Sequence, residues 1–305
     1  MVDYRDIRVG TTVFRVMRMH ARTTFLRWHI GSQDPPEVAT TVPADAASSI
    51  DWTNEGPPGV VAVFNGGFKK PADAGGAVVD GVVLESLVRG DMTLAIDAEG
   101  HWAMGVWGSA KFPTKGFHAI SYRQNLGPLI ENSALLPDTA PSFWRLWGSP
   151  LNQDPLTSRS GLGIDDKGNL IYAAAIGYVD VQQLGTALLE AGAVTGMELD
   201  INPFWPILGG ARTPLHASGV FPLQLPLEEH NPSIYETGWE RDFFVAMAEP
   251  NSWSCNWASP GVHVAITGPQ PQPLRLTGTN CATSTPTTTS TNTTNSSPST
   301  TTSVP

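Results

Sequence analysis

Apolar residues recur along the chain in short runs broken by Gly, Pro, Asn or Asp, the pattern of strands joined by turns. Segments 12–16, 23–30, 60–64, 77–79, 93–96, 102–106, 170–174, 194–199, 243–247 and 262–266 read as strands. Val60-Val61-Ala62-Val63-Phe64 leaves no position for a solvent face, so this strand is expected to be buried on both sides. Helical periodicity is scarce. Its clearest instance is 181–191, where Asp180 stands at the N-cap, Gln183 completes a capping box, and Gly192 offers a left-handed stop. A second helix is expected over 44–52. No internal repeat is visible.

Composition sharpens this picture. Among 305 residues, 30 Gly and 26 Pro against only 15% charged side chains fit a strand-rich, loop-punctuated protein. Apolar residues, at 41%, suffice for a sizeable core, and no apolar run approaches the roughly 18 to 20 residues of a membrane-spanning helix. A net charge of −10, with 18 basic residues scattered rather than clustered, lacks the positive footprint of a nucleic-acid binder. Cys255 and Cys281 are too few for a disulfide scaffold or a thiolate zinc site. One bridge between them is open and would need an oxidising compartment.

Residues 282–305 are almost entirely Thr, Ser, Asn and Pro, carry no charge and offer nothing to bury. A disordered tail is expected there, appended to one domain over 1–281. Such tails are typical of stalks and glycosylated linkers on exported proteins. Residues 1–30 mix Arg5, Arg8, Arg15, Arg18, Arg22 and Arg27 with short apolar stretches, which is not a secretory signal. The chain is therefore either cytosolic or exported by a segment outside this sequence, and the tail favours an extracellular or cell-surface location.

Several familiar chemistries are missing. Ser158-Arg159-Ser160-Gly161-Leu162 lacks the first glycine of a lipase elbow, and no phosphate-binding loop of the Gly-x-x-x-x-Gly-Lys type occurs. Gly161-Leu162-Gly163 begins like a dinucleotide fingerprint, but the third glycine is misplaced. The seven histidines never fall at metal-ligand spacing.

Polar residues gather in a few places. Asn65-Gly66-Gly67-Phe68 follows the buried strand, and its two glycines can enter positive φ, so that successive amides form an anion-binding hollow or an ordinary hairpin turn. Strand alternation over 194–202 puts Glu198, Asp200 and Asn202 on one face and Met197, Leu199 and Ile201 on the other. Such a face can act as acid or base, can hold a hard cation such as Ca2+, or is a wet strand face. Arg123, beside Asn125, and Arg159 stand next to strands, where guanidinium forks can take phosphate in bidentate fashion. Ten tryptophans, among them Trp102, Trp107, Trp144, Trp147, Trp205, Trp239, Trp253 and Trp257, lend weak support to a carbohydrate ligand, because indoles serve cores first.

Together, Phe64-Asn65-Gly66-Gly67-Phe68, Gly105-Val106-Trp107-Gly108, Arg123-Gln124-Asn125-Leu126, Arg159-Ser160-Gly161-Leu162-Gly163 and the stretch from Ala191 through Asn202 occur in the order found in the phosphodiester glycosidase (uncovering-enzyme-like) domain. Over roughly residues 12–250 the chain resembles that family, most closely its actinobacterial branch. The resemblance implies an α+β fold, with a bent, mostly antiparallel or mixed β-sheet and a few packing helices. It further implies a cleft lined by those motifs and hydrolysis of the bond between an anomeric carbon and a phosphodiester. In better-studied members a glycine run and a serine follow the aspartate, whereas here Ile201-Asn202-Pro203 follow Asp200.

The expectation is thus a hydrolase of a phosphate-linked sugar, acting on a carbohydrate or glycosyl-phosphate substrate. Asp200 and Glu198 are the candidate catalytic residues. Asn65, Gly66, Gly67, Arg123, Asn125, Arg159 and Asn202 are the candidate substrate-binding ones. No cofactor is required by this reading, with a divalent cation such as Ca2+ left open. The rival from another class is a non-catalytic module that binds wall polysaccharide.

Overall fold

The computed structural model describes residues 1–35, 48–69 and 75–250. The expected strand at 262–266, the Cys255 and Cys281 pair, the tail at 282–305 and residues 44–47 of the expected second helix lie outside the described residues.

The chain opens with β1 (Val2–Val9), β2 (Thr12–Met19), β3 (Phe25–His29) and β4 (Val60–Asn65). Next come β5 (Ala77–Val79), β6 (Val82–Glu85), β7 (Met92–Asp97), β8 (Trp102–Val106) and β9 (Ala119–Gln124). The short strands β10 (Ile130–Glu131) and β11 (Ala134–Leu135) lead through 3-10 turns into β12 (Thr157–Asp165), β13 (Leu170–Val179), helix α1 (Val181–Glu190) and β14 (Ala193–Ile201). β15 (Leu208–Leu215), β16 (Leu223–Gln224), the one-turn α2 (Ile234–Thr237) and β17 (Phe243–Met247) complete the described chain.

These strands form three antiparallel sheets, ordered β1-β2-β13-β12-β14-β10-β11, β16-β15-β4-β17-β3 and β6-β5-β9-β7-β8. The fold is therefore α+β and mostly β, as expected, with the bent sheet resolved into three. One core joins them: Met17, Tyr172 and Leu199 from the first sheet, Phe64 and Phe244 from the second, and Leu94 and Ile96 from the third belong to one buried cluster. β4 is the central strand of the second sheet and all six of its residues are buried, as its apolar run requires.

Helix α1 lies on the other face of the seven-stranded sheet, burying Val181, Leu184, Ala187 and Leu188 against Phe14, Val16, Ile171 and Ala173. Its ends are built as its sequence dictates. Asp180 Oδ1 accepts from the Gln183 amide at 2.7 Å, Gln183 Oε1 accepts from the Asp180 amide at 3.0 Å, and Gly192 takes φ +102°.

The described part of the second expected helix, 48–52, is not helical. There the Asp51 carboxylate accepts from the amides of Thr53 and Asn54, and its own amide donates to Glu55 Oε2, so side chains replace the helical backbone ladder.

Expected face-sharing along β14 also fails, and for a definite reason. Glu198 lies opposite Gly161 and Ile201 opposite Arg159, so three steps along β14 match two along β12. This bulge puts Glu198 and Ile201 on one face and turns Asp200 to the other.

Candidate functional site

The ends of β4, β9 and β14 and the starts of β12 and β17 meet at one place, and four of the stretches singled out in the sequence arrive there. Asn65, Arg123, Asn125, Arg159, Glu198, Asp200 and Asn202 are all buried, and with Gly66 and Gly67 they form one hydrogen-bonded network. They come together as interlocked ion pairs, and most of the cationic forks are already engaged.

The innermost pair is Arg159 with Glu198. Arg159 donates to Glu198 Oε1 and to the carbonyls of Val179 (3.0 Å), Trp147 (3.3 Å) and Pro155 (3.0 Å), so every guanidinium nitrogen has a protein acceptor. Both side chains are 0% exposed. Glu198 Oε2 has no hydrogen-bond partner among the described residues. Burial pushes the Glu198 carboxyl up to about 7, against the pull of Arg159, with the Asp200 charge adding to the rise.

Arg123 is likewise committed, holding Asp242 with Nε at 2.8 Å and Nη2 at 3.3 Å and donating to the carbonyls of Gln124 and Phe68. Asp242 also accepts from Trp28 Nε1 at 3.0 Å and from the Gly67 amide at 3.3 Å. The anion cradled by the Asn65–Gly67 turn is thus the chain's own aspartate. Neither Gly66 nor Gly67 has positive φ, contrary to expectation. What they provide is close approach: a Cβ on Gly67 would stand 2.8 Å from Asn125 Oδ1 and 3.0 Å from Arg123 Cζ, and one on Gly66 would run into Asp242.

The outermost pair is Arg241 with Asp200. Arg241 Nη2 donates to Asp200 Oδ2, Nε lies 3.3 Å from Asp34 Oδ2, and the guanidinium carbon sits 4.8 Å from the centre of the Trp205 ring. Asp200 Oδ1 accepts from the Ile201 amide at 2.9 Å. The Asp200 and Arg241 side chains keep 6% exposure each and Asp34 13%, so this pair reaches the edge of the network. Burial raises the Asp200 carboxyl to about 7, opposed by Arg241 and the Ile201 amide, and burial also raises Asp34.

The remaining polar residues brace these pairs. Tyr172 donates to Asn65 Oδ1 at 2.8 Å, Asn65 donates to Ser160 Oγ at 2.9 Å, and Ser160 donates to the Asp200 carbonyl at 2.8 Å. Asn125 accepts from the Phe68 amide and donates to the Glu198 carbonyl. Asn202 sits at φ +79°, and its Oδ1 accepts from the Leu151 amide at 2.8 Å.

Two expectations need correction. Arg123 and Arg159 are not free forks awaiting phosphate, because carbonyls and carboxylates saturate both. Glu198, Asp200 and Asn202 do not converge on a cation either, since Glu198 Oε1, Asp200 Oδ2 and Asn202 Oδ1 accept separately from Arg159, Arg241 and the Leu151 amide. Among the described residues, Asp97, Glu99 and His101 bring their donor atoms close together, but Asp97 there accepts from the Glu99 and His101 amides and bonds the His101 ring, which accounts for a tight turn.

Sequence reasoning missed Arg241, Asp242 and Asp34. A signal existed for the first two: Arg241-Asp242 abuts the apolar run of β17 just as Asn65-Gly66 abuts that of β4, and the two strands are neighbours.

No described helix is long and apolar enough to cross a membrane. No family model and no curated protein matches the chain. Solved structures do. The catalytic domain of zebrafish N-acetylglucosamine-1-phosphodiester alpha-N-acetylglucosaminidase, auto-inhibited by its pro-peptide, superposes with a TM-score of 0.50 at 13% identity, covering 82% of each chain. A hypothetical protein from Synechocystis gives a TM-score of 0.48 at 12% identity, covering 81% of this chain and 61% of that one. At 13% identity the likeness to the first is one of fold alone, a distant relationship to the fold of a glycosidase catalytic domain.

Proposed function

We propose that the protein is a hydrolase that cleaves the glycosidic bond between a sugar and a phosphodiester, on an extracellular or cell-wall glycan. The observation that carries this reading is the Arg241–Asp200 pair, a cation and a carboxyl of raised pKa side by side at the edge of an otherwise closed network. The shared fold with a phosphodiester glycosidase and the motif order along residues 12–250 support it.

In this mechanism Arg241 takes the phosphate, for which Asp34, the more exposed carboxylate on its Nε side, is the competitor. Asp200 in its ionised form receives a proton from water as the water oxygen bonds to the anomeric carbon. The bond from that carbon to the phosphate oxygen breaks, and the electron pair leaves with the phosphate. Because phosphate departs readily as an anion, no strong general acid is needed. Glu198, Arg159, Arg123, Asn65, Asn125, Asn202 and the Gly66–Gly67 turn act as positioning groups that fix Asp200 and Arg241.

Release of reducing sugar from glycosyl phosphodiesters tests this reading. Asp200→Ala should lower turnover by about 10²- to 10⁴-fold, the usual contribution of a positioned base. Undiminished turnover in Asp200→Ala and in Arg241→Met sinks the assignment. Because Asp200 must be ionised, the rate should rise with pH through about 7. Glycan capture with no product at any pH points instead to a binding module.

A further inference from the structure

Four aromatic side chains with no part in the steps above, Phe204, Trp205, His230 and Trp239, form one group that reaches the Arg241–Asp200 pair through Trp205. Their rings form a closed circuit. Centroids are 6.2 Å apart for Phe204 and Trp205, 6.2 Å for Trp205 and Trp239, 5.0 Å for Trp239 and His230, and 6.3 Å for His230 and Phe204. The planes are inclined by 45° to 65°, so the rings meet at angles, edge to face in two of the four contacts, and none lies flat on another. Phe204 is 41% exposed, and the other three are half-buried.

The backbone holds this group in place. Phe204 and Trp205 follow the left-handed Asn202, whose carbonyl accepts from the Trp205 amide at 3.3 Å. The Trp239 amide donates to the Ser48 carbonyl at 2.8 Å, and its own carbonyl accepts from the Ser32 amide at 2.9 Å. Trp239 precedes Arg241 by two residues, and Trp205 lies under the Arg241 guanidinium. An apolar wall is therefore continuous with the cation and carboxyl of the proposed site.

A partly exposed aromatic group joined to a buried Arg–Asp pair matches one ligand chemistry in particular. A pyranose ring offers C–H groups on its faces and hydroxyls around its rim, while a phosphate at its anomeric position supplies the charge. An acyl chain would have no use for the adjacent charged pair, and free phosphate none for the rings. We infer that Phe204, Trp205, His230 and Trp239 form the sugar-binding wall of the site, taking the pyranose ring of a glycosyl phosphate while Arg241 takes its phosphate. This inference rests on the hydrolase reading and names where its sugar binds.

The test is equilibrium binding to the full chain carrying Asp200→Asn, so that turnover does not intervene, followed by tryptophan fluorescence and calorimetry. The probes are glucose 1-phosphate, mannose 1-phosphate, galactose 1-phosphate and inorganic phosphate. At least one hexose 1-phosphate should bind more tightly than inorganic phosphate. Adding Phe204→Ala or Trp239→Ala should weaken that hexose phosphate about tenfold while leaving inorganic phosphate within about twofold. Phe204→Ala, at the surface, serves as the variant that keeps the fold, and thermal melting checks Trp239→Ala. Hexose 1-phosphates no tighter than phosphate, or affinity indifferent to Phe204→Ala with the melting curve intact, overturns the wall. Aromatic-dependent hexose phosphate binding in a chain that never turns over glycosyl phosphodiesters would keep the wall and remove the hydrolase. Turnover with aromatic-independent binding would do the reverse.

Discussion

Two arginine–carboxylate pairs lie within one network and have the same chemistry, yet their surroundings differ. Arg159 and Glu198 are fully enclosed, and carbonyls from three separate segments complete the coordination of the guanidinium. Arg241 and Asp200 keep a small accessible face, with Asp34 and the Trp205 ring as their outer neighbours. Both carboxyls are raised to about 7, chiefly by burial. A perturbed pKa therefore does not separate the two carboxyls here, whereas the identity and exposure of their partners does. The proposed mechanism accordingly gives Glu198 a positioning part and Asp200 the reacting one.

The sharpest way to break this comparison is to remove one inner partner. Arg159→Met leaves Glu198 buried without its counter-ion and should cost about 3 to 5 kcal/mol in urea denaturation. The double variant Arg159→Met with Glu198→Leu should be more stable than either single change, because no uncompensated charge remains. A double variant no more stable than the singles would show that the inner pair is not a mutually compensating unit.

A smaller effect is expected at the turn that links the two pairs. Gly67→Ala places a methyl against Asn125 and Arg123 and should cost about 1 to 3 kcal/mol. Positive φ is not involved, so Gly67→Asn should do no better than Ala, as the two melting curves would show.

A further effect is on pH dependence. A carboxyl raised on folding stabilises the protein fully below its unfolded pKa, near 4, and that contribution is lost as pH rises through the folded value of about 7. Melting temperature should therefore fall less between pH 5 and pH 8 in Asp200→Asn than in the unsubstituted chain. Asp165, whose carboxyl is lowered, works in the opposite direction, and its contribution fades only on acidification. Parallel melting curves across that range would mean that Asp200 is not raised.

What could be read from the sequence follows a physical division. β4, β5, β8, β17 and α1 were legible because their signals are local: uninterrupted apolar runs, or a cap with its matching stop. β12 was not, although almost all of it is buried, because Thr157-Ser158-Arg159-Ser160-Gly161 is polar or small and lies inside only through its neighbours. The meeting of Asn65, Arg123, Arg159 and Asp200 was anticipated, but the saturation of the two arginines was not. That saturation depends on carbonyls at 147, 155 and 179 and on Asp242, none of which carries a local signal at the arginine it serves. The bulge in β14 was equally invisible, since residue types alone do not reveal where a ladder gains a residue.

That single inserted residue governs how charge is apportioned. In strict alternation, Glu198 and Asp200 would project to the same side, and two acids would contend for the one guanidinium of Arg159. The offset between Gly161 and Arg159 sends the second acid to the far side of the sheet, where Arg241 awaits it. A change in strand phase, with no change in side-chain chemistry, thus gives each acid a separate counter-ion and divides one potential repulsion into two neutral couples.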